Sequence, residues 1–157
     1  MEVVSKLISR SWAFSFLIFL GVFLYVYAAL PNQVALFTPR GSFQTIFIDR
    51  SLFFYSGISI FIVWNALFYV LRGMLGQLPV RETSFFKSES FKIKILNWLI
   101  SFALVVNVFF VFTVSLVGIF NRTSAEEFTR FSPFIYVGPV LMAIWLVALV
   151  VILAKRK

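Results

Sequence analysis

Hydrophobic residues form four long runs along the chain, and none of these runs contains Asp, Glu, Lys or Arg. An uncharged apolar run of about 20 residues is long enough to cross a bilayer as an α-helix. Membrane β-strands would be about half as long and would alternate polar with apolar residues. The pattern predicts an all-α membrane protein, one domain built as a four-helix transmembrane bundle, with spans at 12–30, 52–71, 96–120 and 134–154.

The composition excludes several classes of protein. Of the 157 residues, 61% are hydrophobic and 13% are charged, whereas a soluble domain carries about 25% charged residues. Cys and His are both absent, which removes the usual ligands of zinc, haem and iron–sulfur clusters and every Ser-His or Cys-His nucleophile. All six acidic residues lie outside the spans. We therefore expect no enzymatic activity, no metal and no cofactor.

The basic residues predict the orientation. Ten of the 14 Lys and Arg residues lie before the first span, in the loop 72–95 or after the fourth span, and four lie in the other two loops. The positive-inside rule then places both termini and the loop 72–95 in the cytoplasm. The net charge of +8 is dispersed around hydrophobic spans, so we expect it to face anionic lipid and expect no nucleic-acid partner. A cleaved signal peptide is the alternative for the first span, but its apolar run is long for one.

The first external loop has the composition of a β-hairpin. Residues 33–37 and 43–48 are rich in strand-forming residues, and the four residues between them include Pro39, which favours a turn. We predict a short hairpin at the outer membrane surface. Asp49 follows it directly, at the expected N-cap position of the second span, with its carboxylate near the positive end of the helix.

Local signals also predict where helices begin and end. Two glycines and Pro79 predict that the second helix ends after Arg72. Ser88 is expected to cap a third helix that begins below the membrane plane. A Ser-x-x-Glu capping box at 124–127 is expected to open a short helix before the fourth span.

Polar and small residues inside the spans are the candidates for a site. Asn65 and Asn107 lie roughly 9 and 16 Å deep, about one helical turn apart, which leaves direct contact between them open. They are interpreted either as the lining of a ligand or ion path or as hydrogen bonds between helices worth about 0.6–2 kcal/mol, and we favour the second. The other helix-packing candidates are Ser56, Gly57, Ser115 and Gly118.

Aromatic and basic residues near the span ends are typical of the membrane–water interface, where rings dip into the bilayer and ammonium groups stay in water. Around residues 85–94, phenylalanines alternate with lysines. A docking site for a partner is the alternative interpretation of this stretch. The interfacial anchors that we predict are Trp12, Trp98, Lys87, Lys92 and Lys94.

The first helix pair carries short motifs of a known family: Leu-Pro-Asn-Gln-Val-Ala at 30–35, Gly41, Ile-Asp-Arg-Ser-Leu-Phe-Phe-Tyr at 48–55, and Asn65. Residues 12–70 resemble small bacterial inner-membrane proteins of a domain-of-unknown-function family related to the SdpI immunity and signalling protein. Family members usually have a polar residue or His after Val-Ala, where this chain has Leu36, so no role is carried over to that position. The resemblance implies a location in the bacterial inner membrane.

These features predict a non-enzymatic membrane protein that binds other integral membrane proteins through helix–helix contacts. It would be an accessory subunit of a membrane complex, or an immunity or sensory component. The lipid bilayer is the other expected partner, and the sequence is compatible with a homo-oligomer. The alternative is a small transporter or channel that forms its pathway by self-association, and a membrane enzyme comes third.

Overall fold

The computed structural model describes residues 2–36, 46–81, 85–122 and 130–155. Within these ranges, four helices, the last entered through a short 3₁₀ helix, are long and apolar enough to cross a membrane. The prediction of a multi-pass helical protein is confirmed at that level. The helices are α1 (Glu2–Ala28), α2 (Arg50–Gln77), α3 (Glu89–Phe120) and α4 (Val137–Ala154), and the 3₁₀ helix is Ser132–Tyr136.

The prediction that the second helix ends after Arg72 is wrong, because α2 continues through both glycines to Gln77. A glycine inside a helix costs about 1 kcal/mol relative to alanine. Leu75 packs against two hydrophobic clusters in this last part of α2 and offsets that cost. Pro79 ends the helix, because the residue before a proline avoids the helical conformation, and Leu78 is extended at φ −64°, ψ 136°.

Two of the predicted caps can be checked. Ser88 caps α3, and its Oγ accepts a hydrogen bond of 3.2 Å from the backbone N–H of Phe91, as expected. Asp49 occupies the N-cap position of α2, as expected, although its side chain makes no capping hydrogen bond. Asp49 is also the last residue of a strand and pairs with Gln33. The predicted capping box at 124–127 lies outside the described residues.

The predicted hairpin is confirmed as a two-stranded antiparallel sheet of β1 (Gln33–Leu36) and β2 (Ile46–Asp49). Asn121 at the end of α3 joins it to the bundle. Its Oδ1 accepts from the backbone N–H of Ala35 at 2.9 Å, and its Nδ2 donates to the Ala35 carbonyl at 2.9 Å. One side chain therefore satisfies both backbone groups of Ala35, as a neighbouring strand would.

The helices are arranged around α3, which contacts α1, α2 and α4. Aromatic rings connect α1 and α2, and the closest pair is Phe19 and Phe61, which stack with centroids 3.8 Å apart. We call the end of the bundle where α1 begins and α4 ends the terminal end, and the opposite end the hairpin end. Eight of the described basic residues lie at the terminal end, and Arg50, Arg122 and Arg130 lie at the hairpin end. Which end faces the cytoplasm stays a prediction.

Candidate functional site: a buried polar network

Four polar side chains meet in the interior between α1, α2 and α3, and we call Trp12, Ser15, Asn65 and Asn107 the polar network. Ser15 and Asn65 are 4% and 3% exposed, and Asn107 is fully buried. The two amides face each other. Asn65 Nδ2 donates to Asn107 Oδ1 at 2.9 Å, and Asn107 Nδ2 donates to Asn65 Oδ1 at 3.0 Å.

The remaining groups complete the network. Asn107 Nδ2 also donates to Ser15 Oγ at 2.8 Å, and the indole N–H of Trp12 donates to Asn65 Oδ1 at 2.8 Å. The second hydrogen of Asn65 Nδ2 goes to the Phe61 carbonyl one turn earlier in α2, at 2.9 Å. Ser15 Oγ donates to the carbonyl of Trp12 at 2.6 Å. Every polar hydrogen of the network has an acceptor, so the three helices are joined without an unpaired polar group.

Local spacing brings these residues together. Trp12 and Ser15 are three residues apart and therefore share one face of α1. The sequence identified Asn65 and Asn107 but left their contact open, and the structure brings them into contact. It missed Ser15, for which the available signal was that it is the only serine in the predicted span 12–30. Trp12 was predicted to be an interfacial anchor, but its indole N–H is used inside the bundle.

The network contains no group that ionises near neutral pH. Its chemistry is therefore hydrogen bonding alone, and an amide that loses its partner in a low-dielectric interior becomes costly. Trp64, next to Asn65 in sequence, is a contrast, because its indole N–H is buried with no hydrogen-bond partner among the described residues. In the described part of the chain, no cluster of three or more His, Cys, Asp or Glu residues could hold a metal ion.

Glycines set the closest approaches between elements. A Cβ added at Gly118 of α3 would come within 2.9 Å of Val26 of α1, and one at Gly57 of α2 would come within 2.7 Å of the Phe23 ring. A Cβ at Gly138, at the start of α4, would overlap the Phe109 ring. The sequence analysis selected Gly57 and Gly118 but missed Gly138.

The two serines among the packing candidates make their hydrogen bonds within their own helices. Ser56 Oγ donates to the Phe53 carbonyl at 3.2 Å, and Ser115 Oγ donates to the Val111 carbonyl at 2.8 Å. Each hydroxyl therefore donates its hydrogen to a carbonyl of its own helix and not to another helix.

Two tryptophans join α3 to α4. The indole N–H of Trp98 donates to the Trp145 carbonyl at 2.8 Å, and the indole N–H of Trp145 donates to Ser101 Oγ at 2.9 Å. Trp98, predicted as an interfacial anchor, thus has its N–H engaged within the protein. The exchange fixes how α4 is rotated against α3.

The three lysines predicted as anchors lie at the terminal end. Lys92 Nζ donates to the Leu78 carbonyl at 2.8 Å and lies 5.9 Å from the centroid of the Phe86 ring. It therefore ties the start of α3 to the end of α2. Lys87 and Lys94 are exposed. No family model, curated protein or solved structure matches this chain.

Proposed function

We propose that this protein is non-enzymatic and binds other integral membrane proteins through helix–helix contacts, as an accessory subunit of a membrane complex or as an immunity or sensory component. The observation that carries the proposal is the position of α4. Its span has the highest mean hydropathy of the four, 2.8, and only 6% of it is buried. Gly138 is its one buried residue, so most of its surface remains for contacts outside the chain.

The polar network supports the same proposal. Because its hydrogen bonds are satisfied within one chain, α1, α2 and α3 form a fixed core that needs no partner for its polar groups. A binding partner would then meet a preformed surface. Near the hairpin end, α3 and α4 leave an apolar groove of about 410 Å³, and the exposed Thr113 is a small residue in its lining. Small residues at such a surface let a second helix approach closely.

The proposed location is the bacterial inner membrane, with the terminal end in the cytoplasm. The excess of basic residues at that end supports this orientation through the positive-inside rule. The resemblance of residues 12–70 to the SdpI-related family favours the immunity or sensory version of the proposal. The shared segment is α1, the hairpin and α2, so α3 and α4 lie outside it, and the exposed α4 is the element in which this chain would carry its own binding surface.

Copurification in mild detergent from the native membrane tests the proposal, with two variants that place the same bulky residue on different helices. Ala143 of α4 and Ala66 of α2 are both exposed within spans. We expect a heterologous subunit in fixed proportion with the wild type and with Ala66→Trp, and at least tenfold less of it with Ala143→Trp. Equal recovery with both variants would contradict the assignment to α4, and the absence of any heterologous subunit would contradict the proposal itself.

A transporter or channel formed by self-association is the second candidate. The observation in its favour is a groove between α1 and α3 in which Ser11, Ser15 and Asn107 are part of the lining. Symmetric copies would bring their grooves together around a shared path. The mass of the purified particle separates the two candidates, because a ring of identical chains is a whole multiple of 18.1 kDa, whereas a complex with a different subunit is not.

A further inference from the structure

Two hollows lie in succession along the side of the bundle between α1 and α3, and no residue lines both of them. The first, about 470 Å³, is also walled by α4 and lies at the terminal end, and the second, about 320 Å³, continues toward the middle of the bundle. We call the two hollows together the α1–α3 groove. On α1 its lining passes from Val4 and Ile8 to Ser11 and Ser15, a spacing of three or four residues that keeps one helix face in the groove.

The length of the groove fits a lipid chain. On α3 the lining runs from Lys94 to Val111, which at 1.5 Å per residue is about 26 Å. One leaflet of the bilayer hydrocarbon is about 15 Å deep. An acyl chain that entered beside Lys94 would therefore lie within the groove over the depth of its leaflet.

The chemistry of the groove changes along its length. Its mouth at the terminal end carries Lys94 and Asn97, and the deeper lining is mostly apolar, with Phe14, Leu104 and Val108 among its residues. Lys94 is exposed and makes no hydrogen bond or ion pair with the described residues. Its ammonium group is therefore available at the level where phospholipid headgroups lie.

Basic residues outnumber acidic ones at the end of the bundle where the mouth lies. Lys155 follows Ile152 by three residues, and is exposed at the end of α4. The described helices carry two acidic residues at this end, Glu2 and Glu89, and neither is part of the groove lining. Basic pockets between transmembrane helices bind the headgroups of anionic lipids.

From this geometry we propose that the α1–α3 groove binds an anionic phospholipid, with its phosphate at Lys94 and Asn97 and one acyl chain along α1 and α3. The site is independent of the protein partner proposed for α4. An anionic headgroup is favoured over a zwitterionic one because each lysine near the headgroup contributes an attraction that a choline group would oppose. The occupied groove would present hydrocarbon, rather than Ser11, to the surrounding bilayer.

Native mass spectrometry of the delipidated, full-length protein tests the proposal by titration with phosphatidylglycerol and phosphatidylcholine of identical acyl chains. We expect the wild type to prefer phosphatidylglycerol. Lys94→Gln should weaken phosphatidylglycerol binding about fivefold, the effect of one lysine at a membrane surface. Lys87→Gln is the matched control, since it removes the same charge at the same end from a residue outside the groove lining, and it should leave binding unchanged.

A second variant tests the groove itself. Ala148 lines the first hollow from α4, and Ala148→Phe would fill that space, so binding of both lipids should fall. Equal affinity of the wild type for the two lipids, or equal losses in Lys94→Gln and Lys87→Gln, would overturn the proposal. The proposal would also be overturned if the protein formed a dimer that Ala148→Phe dissociates, because a second copy of the chain would then occupy the groove.

Discussion

Asn65 of α2 and Asn107 of α3 lie face to face in the bundle interior and exchange two amide hydrogen bonds, of 2.9 and 3.0 Å. Each amide donates from its Nδ2 to the other and accepts at its Oδ1 from the other. This exchange is possible at only one axial position of α2 relative to α3. A shift of either helix by one residue would move the amides about 1.5 Å apart along the axis and break both bonds. The pair therefore fixes the register of α2 against α3.

Replacement of Asn107 should destabilise the bundle. Asn107→Leu removes the bonds to Asn65 and Ser15 and leaves their buried polar groups short of a partner, which should cost about 1–2 kcal/mol of unfolding free energy. Reversible denaturation in detergent measures this cost. Thr113→Leu is the control, because Thr113 is exposed and bonds only to a carbonyl of its own helix. Equal unfolding free energies for the two variants would show that the network adds no stability.

Trp12, which bonds to Asn65, and Trp64, which precedes Asn65 in the sequence, should differ in how replacement by Phe changes the unfolding free energy. Trp12→Phe removes a donor from Asn65 and should lower the unfolding free energy by about 1 kcal/mol. Trp64→Phe removes a buried N–H that has no partner among the described residues, and should be neutral or stabilising. Thermal unfolding of both proteins, followed by circular dichroism, checks the difference. A larger loss in Trp64→Phe would contradict it.

Gly138 should be intolerant of even one added carbon. Gly138→Ala places a methyl group in the Phe109 ring, and the repacking should cost about 1–3 kcal/mol and weaken the attachment of α4 to α3. Gly21→Ala is the matched control, since nothing lies within 4 Å of a Cβ built there. It should stabilise α1 slightly, because alanine favours helix. Protease sensitivity of the segment before α4 reports the attachment, and identical digestion of the two variants would count against it.

Asn121 should control the stability of the hairpin. Asn121→Ala removes both hydrogen bonds to Ala35, so amide exchange of Ala35 should accelerate about tenfold, the equivalent of one lost hydrogen bond. Asn121→Asp keeps an acceptor for the Ala35 N–H and should give a smaller effect. Hydrogen exchange resolved by residue gives the measurement. Unchanged exchange in Asn121→Ala would mean that β1 is held by β2 alone.

The basic residues should place the two ends of the bundle on opposite sides of the membrane. Reporter fusions after Lys157 and within residues 42–45 are expected to report the cytoplasm and the external side, respectively, because ten of the 14 basic residues flank the spans on the first side. The same location for both fusions would exclude the proposed orientation.

The parts of the fold that depend on neighbouring residues were predictable from the sequence. The four spans follow from runs without charge, the hairpin from two strand-forming stretches around a turn, and the cap of α3 from Ser88. Asn65 and Asn107 could be selected as packing residues because a buried amide in a span requires a partner.

The features that sequence analysis missed depend on which helix faces meet. Trp12 lies near a span end, as an interfacial residue does, and only the rotation of α1 brings its N–H to Asn65. Gly138 is required to be small because Phe109, 29 residues earlier, points at it. The end of α2 was misplaced because the contacts of Leu75 outweigh the glycines around it. In each case tertiary packing overrides the local signal.

The polar network also has a consequence for the order in which the chain is assembled. The partner residues Asn65 and Asn107 are 42 positions apart, so at 5–20 residues per second the ribosome makes Asn107 about 2–8 seconds after Asn65. Until then the bond from Trp12 to Asn65 is the one bond of the polar network between α1 and α2, and Ser15 and Asn65 lack the hydrogen bonds that Asn107 provides. The polar network is therefore completed only when α3 has been made and packs against α1 and α2.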